Sequence, residues 1–430
     1  MGRSPVVLTA LLAVFPAALV AQEAPASMRL EDVLASVQER NPRLRALQAA
    51  TAAAEYREPN ASTLPDPMLQ LGIMNFGLPD FNADMAMSMA PAVQLMQMVP
   101  FPGKLSLKGE IAGFGTEMAG AGAEEAWWNV RDGASSMFFE LYSLDRRLGV
   151  MRRTQSLLED FQQVATAMYG AGTGRQADVL RAAVEVARMD GEIQRMEAMR
   201  STMAARLNSL MDVPAATPVG SPVLGDLPLD VPTRDELLAW AQETRPLLAG
   251  GRLAVAQAGK RRDLAHRQIW PDFTVGVSYG QRDRGNGAER MGSAMVGFSI
   301  PLHASSRQYA ARDEAAALER LAQAQLGSLE AGVDARVGEL LAGLSSARSL
   351  TELYRDEVIP EARANAESAF SSYRVGSVDF MTLVDAQMMV NRYEGELFQL
   401  LGEYGRAIAA LESTVGRPLP RTGTLLSEER

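Results

Sequence analysis

The sequence predicts a mainly helical chain that also lends strands to a membrane β-barrel. It is built from one unit used twice: a helix, a strand pair and a long coiled-coil helical hairpin. Three observations predict this. Matching anchors recur along the chain at a shift close to 204 residues. Apolar residues spaced by threes and fours run on far longer than a globular helix needs. Between the helical stretches, segments of about ten residues alternate apolar with small or polar side chains.

Composition narrows the chemistry. The 430 residues include 52 acidic and 42 basic side chains, no Cys and two His, His266 and His303, for a net charge of -10. Without Cys there are no disulfides, thiol nucleophiles, thiolate metal sites or N-terminal lipid-bearing Cys. Two His leave little from which to build a His-rich zinc site or a Ser-His-Asp triad. The acidic balance argues against nucleic acid as a partner. No cofactor is implied, no paired acid–base constellation stands out, and an enzyme is the least favoured class.

The chain opens with an address. Arg3 precedes an apolar run over 6–20, followed by small residues at Ala21 and Ala24-Pro25-Ala26. This reads as a signal peptide over 1–26, with the mature start between residues 22 and 27. A membrane-spanning helix fits less well, because Pro16 interrupts a run that is already short. No other segment has eighteen consecutive apolar residues, which leaves a soluble exported protein or a β-barrel.

The duplication is next. Asn41-Pro42 faces Arg245-Pro246, Leu64-Pro65-Asp66 faces Trp270-Pro271-Asp272, and Val99-Pro100 faces Ile300-Pro301. Tyr169 and Gly172 face Tyr373 and Gly376, and 207–214 faces 411–418. The expected organisation is a first repeat over 27–213, a Pro-rich linker over 214–232, a second repeat over 233–418 and a tail over 419–430. Thr233-Arg234-Asp235-Glu236 has capping-box form and opens the second repeat.

Each repeat carries a long helical pattern. Trp127, Val130, Ala134, Met137, Leu141, Leu144, Leu148, Met151 and Leu158 follow a 3.5-residue period, with Gln155 in the one polar slot. Val333, Val337, Leu340, Leu344, Ala347, Thr351, Tyr354 and Val358 do the same in the second repeat. The pattern permits a helix from Leu105 to Tyr169 of about 95 Å. After the turn, Val179, Val186, Met189, Ile193, Met196, Met203, Leu207 and Leu210 supply an antiparallel partner.

The strands alternate. Phe273, Val275, Val277 and Tyr279 oppose Thr274, Gly276, Ser278 and Gly280; Ala294, Val296, Phe298 and Ile300 oppose Ser293, Met295, Gly297 and Ser299. Leu69, Leu71 and Ile73 alternate with Met68, Gln70 and Gly72, while 85–99 alternates less cleanly. Any one such strand also suits a sheet on a soluble core. Four of them in an exported helical chain favour lipid on one face and a wet lumen on the other. Trp270 and Tyr279, nine residues apart, are placed as aromatic edges of the apolar band. Four strands cannot close a membrane barrel, which needs about eight, so the chain is expected to oligomerise. Two copies give a lumen largely filled by side chains; three give twelve strands and a wider bore.

With these features in place, the chain resembles the TolC family of outer-membrane channel proteins over nearly its whole mature length. The nearest local matches are Pro65-Asp66-Pro67, the run from Gln97 to Lys104, the run from Tyr169 to Leu180 and the run from Tyr373 to Gln387. The resemblance implies a homotrimer with a 12-stranded barrel in outer-membrane lipid and a periplasmic helical tunnel. It also implies docking to a periplasmic adaptor (membrane fusion) protein and an inner-membrane pump of RND or ABC type. The Pro-Gly-Lys ending at Lys104 resembles the heavy-metal-efflux branch. The competing class is a periplasmic coiled-coil adaptor or scaffold without a pore.

A channel needs a bore, a gate and a docking surface rather than a catalytic residue. Gly172, Gly174, Gly376 and Ser377 mark the two hairpin turns, where glycine reverses the chain without a Cβ penalty; the resemblance makes them adaptor-docking tips. The run over 170–174 is no phosphate loop, since no strand precedes it and no Lys-Ser/Thr follows. Asp385 matches the position where the family places an acidic ring, and Asp178 the gate-adjacent acid of the first repeat; Asp379 lies close by. The second ring position of the family falls on Thr382. A carboxylate ring favours cations, and Arg175 and Arg374 are placed to close the gate by pairing with these acids. The alternative for each Asp is a solvated helix face or first-turn charge. Finally, Met68, Met74, Met85, Met87, Met89, Met96 and Met98 crowd the first strand pair. Met85, Met87 and Met89 share a strand face and are candidate soft-metal ligands, against the plainer reading that Met packs a barrel surface.

Overall fold

The computed structural model describes residues 27–74, 89–283, 287–300 and 302–423. The expected signal peptide, Met85, Met87 and the tail from residue 424 lie outside the described residues.

A two-residue strand, β1 (Ser27–Met28), leads into α1 (Leu30–Arg40), α2 (Pro42–Glu55) and α3 (Arg57–Ser62). Strands β2 (Met68–Met74) and β3 (Met89–Val99) precede α4 (Lys104–Gly170), and α5 (Gln176–Leu210) returns along it. At 67 residues α4 is roughly 100 Å long. Inside the linker, β4 (Ser221–Pro222) pairs in parallel with β1. The second half runs α6 (Arg234–Thr244), α7 (Pro246–Arg267), β5 (Phe273–Asp283), β6 (Ala288–Phe298) and α8 (Gln308–Leu353). A π-helical turn (Tyr354–Val358), α9 (Ile359–Arg374) and α10 (Phe380–Val415) complete it. Thr233 and Glu236 form the full capping box at α6.

The sequence pattern reads one opening helix per half; the structure breaks each at its X-Pro step. Proline cannot continue the hydrogen-bond ladder, so Asn41 leaves α1 and its side-chain oxygen caps α2, accepting from the N–H groups of Arg43 and Leu44. The same residue clasps the hairpin: its Nδ2 donates to the Leu210 carbonyl at 2.9 Å. Arg245, its counterpart, donates to the Thr414 carbonyl at 2.9 Å. The sequence shift therefore recurs as a tertiary contact, each broken helix fastened to the end of its own return helix.

Two apolar cores lie along the helices. The first joins α1, α4, α6, α8 and α10 through Val37, Phe138, Leu237, Leu344 and Leu401, and buries Leu227 of the linker. Tyr404 seals it by donating its hydroxyl to the Pro228 carbonyl. The second is a four-helix bundle of α4, α5, α9 and α10 around Leu158, Phe161, Met189, Ala366 and Leu383. Between Met151 and Leu158 the seam runs through buried Thr154; Gln155, the expected polar slot, is half-buried beside it. The second half departs further. Pro360 lies inside the expected continuous helix, and its ring and missing N–H disturb the turn before it. The chain responds with the π turn. The extra residue moves the buried seam from Val358 to Ile359, whence it continues through Ala362, Ala366, Ala369 and Tyr373. In α4 the equivalent position is Ser156, and the helix runs on unbroken.

Strands β2, β3, β5 and β6 form one antiparallel sheet in that order, leaving β2 and β6 as its edges. Among the described residues no helix is long and apolar enough to cross a membrane.

Candidate functional site

Directly opposed residues share a face of a sheet, so the register sorts the strand side chains into two sets. One face carries Leu69, Leu95, Val277 and Ala294 in one row, and Leu71, Val93, Tyr279 and Gly292 in the next. Val99, Phe273 and Phe298 close it toward the helices. Leu71 and Val296 are each 73% exposed on the isolated chain, an apolar surface too continuous for water. The opposite face holds Gln70, Gln94, Ser278 and Ser293 in a row, with an Arg282–Glu289 ion pair near the far end. Polar and charged groups belong to a wet lumen, apolar ones to lipid.

At the junction of strands and helices two sequence motifs lock together. Lys104, first residue of α4, is 5% exposed. Its Nζ donates to the Trp270 carbonyl at 2.7 Å and to Asp272 Oδ1 at 2.8 Å. The same oxygen accepts the Phe101 N–H at 2.8 Å. Burial opposes the Asp272 charge, but these donors, with Lys104 and Lys108 charges nearby, outweigh it and hold the carboxyl below its ordinary range. Phe101 stacks on Trp270 with centroids 5.5 Å apart. Gly103 takes φ +86°, and the Arg267 guanidinium occupies the space a Cβ would need, donating to the Pro102 carbonyl at 3.0 Å. Trp270 is exposed just before β5, and Tyr279 is exposed in the apolar row.

The hairpin turns are near copies of each other. Gly172 and Gly376 take φ +79° and +74°. Thr173 N–H and hydroxyl return to the Met168 carbonyl (2.9 and 3.2 Å), as Ser377 N–H and hydroxyl return to Ser372 (3.0 and 2.9 Å). Gly174 packs so tightly on the end of α4 that a Cβ would lie 2.8 Å from Tyr169 N. Asp379 caps α10, accepting from Thr382 N–H at 2.9 Å and its hydroxyl at 2.7 Å. Those two bonds, and then the charges of Arg181 and Arg175, hold its carboxyl below the ordinary range. Asp178 lies in the first turn of α5, half-buried, close enough to Tyr373 to reinforce the upward push that burial gives that phenol. Asp385 is exposed on α10, a turn and a half from Asp379. Arg374 lies over the Phe370 ring at 6.0 Å. Among the described residues of one chain, neither Arg175 nor Arg374 forms the expected ion pair with these acids. Asp379 is spoken for by its cap.

The Met set divides. Met85 and Met87 are outside the described residues; Met89 opens β3 opposite Met74. A different set, absent from the sequence expectation as a group, shares one lumen row: Met68, Met96 and Met295. Strand alternation had already put Met68 and Met295 on the polar face; Met96 lies in the segment that alternates less cleanly, and only register could align the three.

The sequence matches the outer membrane efflux protein family over residues 237–417. It is 23% identical over 319 residues to the cobalt-zinc-cadmium resistance protein CzcC of Cupriavidus metallidurans, covering 73% of this chain and 74% of that one. Its fold is similar to that of CusC, with TM-score 0.78 at 13% identity over 90% of this chain and 92% of that chain. The outer membrane protein VceC of Vibrio cholerae gives TM-score 0.76 at 15% identity over 90% and 96%. Family match, shared fold and sheet chemistry agree: over residues 237–417 the chain matches the outer membrane efflux protein family, and as a whole it has the fold of outer membrane efflux channels.

Proposed function

We propose that three copies of this efflux channel close a twelve-stranded barrel that is the outer exit of a tripartite machine, with heavy-metal cations as cargo. The observation that supports the oligomer is the four-stranded sheet with two unpaired edges under an apolar face. In lipid, an eleven-residue edge strand such as β6 presents roughly ten unpaired backbone groups at several kcal/mol each. Pairing β6 of one copy with β2 of the next removes both edges, and repeating that head-to-tail contact closes a ring. Eight strands would leave a bore filled by side chains, so a conduit needs three copies. A pore-free adaptor has no use for such a sheet.

Transport is passive. The adaptor engages the two turns at Gly172, Gly174, Gly376 and Ser377, and the inner-membrane pump supplies the energy. Asp385, exposed and in no hydrogen bond or ion pair of its side chain among the described residues, is the best candidate for a carboxylate ring, with Asp178 as the gate-adjacent acid of the first repeat; Arg175 and Arg374 would reach acids of a neighbouring copy. Trp270 and Tyr279 form the aromatic girdle. The likeness to CzcC supports the metal cargo.

The test is reconstitution. Purified protein should run as a trimer in detergent and conduct in planar bilayers. Asp385→Ala should reduce cation selectivity and weaken block by trivalent cations. A stable monomer without conductance would overturn the channel; unchanged selectivity in the variant would remove Asp385 from the pore.

A further inference from the structure

We propose that the thioethers of Met68, Met96 and Met295 form a station in the barrel lumen for a soft monovalent cation, Cu(I) or Ag(I). The inference rests on the efflux reading above and names a cargo class for it. Met68 stands opposite Met96, Met96 opposite Gly276, and Gly276 opposite Met295. The glycine is what lets the Met96 and Met295 side chains lean toward each other. A Cβ there would lie 3.3 Å from Met96 Cγ, 2.9 Å from Met295 Cγ and 3.4 Å from Met295 Sδ. Both side chains therefore lean over bare backbone from strands that sheet geometry holds about 9–10 Å apart. Met68 flanks Met96 from the edge strand.

Neighbouring amides steady the two outer thioethers. Gln94 Nε2 donates to Met295 Sδ at 3.3 Å, and Gln70 Nε2 to Met68 Sδ at 3.4 Å. Each sulfur keeps a second lone pair for a metal.

Burial does not account for the row. One neighbouring row is Gln70, Gln94, Ser278 and Ser293 and the other is Met98, Thr274 and Gly297; Met68 and Met295 are 57% and 39% exposed, so they fill no core. Neutral thioethers select Cu(I) and Ag(I) over the harder divalent ions. Because they add no charge, they also hold a monovalent ion loosely enough for it to leave, as a conduit requires. In a ring of copies, every chain contributes such a row at one height of the bore.

The test uses the full-length protein in detergent, titrated with Cu(I) held by a chromophoric chelator and, separately, with Ag(I) and Zn(II). Wild type is compared with the Met68→Leu/Met96→Leu/Met295→Leu variant and with a control carrying Met199→Leu and Met389→Leu on the helices. Leucine nearly conserves volume, so the barrel should persist, which conductance checks. Expected is uptake of Cu(I) and Ag(I) by wild type and control, at least about tenfold weaker in the triple variant, with Zn(II) uptake unchanged. X-ray absorption should find sulfur around the copper of wild type and control but not of the triple variant. Equal Cu(I) affinity in wild type and triple variant overturns the station, whether or not the protein conducts. Sulfur-bound Cu(I) in a protein that forms no pore leaves the station standing and overturns the channel instead.

Discussion

Replacing Gly405 by alanine tests how closely the helices pack. Gly405 lies where α10 crosses α4, and a Cβ there would sit 2.6 Å from Cγ of Phe139. That ring is 3% exposed, and it has little room to retreat: one turn away, a Cβ at Gly402 would already meet the Phe139 carbonyl at 3.1 Å and Ser143 Cβ at 3.0 Å. Alanine gains about 1 kcal/mol over glycine in a helix interior, while overpacking costs about 1–3 kcal/mol. The net expectation for Gly405→Ala is a loss of up to about 2 kcal/mol. Gly395, in the same helix, has no atom within 4 Å of its ideal Cβ, so Gly395→Ala should keep the propensity gain alone. The clash is the difference between the two variants. Because assembled barrels unfold irreversibly, the assay is the half-time for loss of helical circular dichroism at a fixed elevated temperature. Adding Phe139→Leu to Gly405→Ala should restore part of the loss. Equal half-times for the two alanine variants, or no restoration, would refute the packing argument.

Acid should loosen the junction between barrel and helices. Asp272 has its carboxyl held below the ordinary value when folded. Its contribution is therefore complete above that ordinary value and lost as pH falls through the depressed one. Asp272→Asn should flatten the acid limb of a stability-against-pH profile recorded by thermal inactivation; an unchanged limb would show that the lock contributes nothing. At the tip, Asp379→Ala removes the cap of α10, so amides 380–383 should exchange hydrogen faster. Asp379→Asn, which keeps an accepting oxygen, should restore protection, and a gate role independent of the cap would instead follow charge.

Much of this fold was legible because its signals are local. The 3.5-residue seam through Leu141, Leu144 and Leu148 and the glycines at the turns specify hairpins without knowledge of partners. Strand alternation separated the lipid and lumen faces for the same reason. What required three dimensions was pairing between distant segments. Lys104 reads as one letter of a motif until Asp272 arrives beside it from the other half. Met295 reads as an isolated apolar residue until register sets it across Gly276 from Met96. Pro360 is visible in the sequence, but a break, a kink or a π turn would each satisfy it; the packed seam at Ile359 decides. Asp379 was open to a closer reading, since Asp379-x-x-Thr382 ahead of an apolar run is a helix-start signature.

The two bare edges of the sheet have a consequence for biogenesis. A solitary chain is ill-suited to both of its environments, presenting greasy strands to water and unsatisfied peptide groups to lipid. On the proposed three-copy assembly, insertion is a reaction of higher order in subunit concentration, so halving synthesis should cut assembled channels by more than half. Any chain awaiting companions would need an escort in transit, and the edges β2 and β6 are where that escort has most to shield.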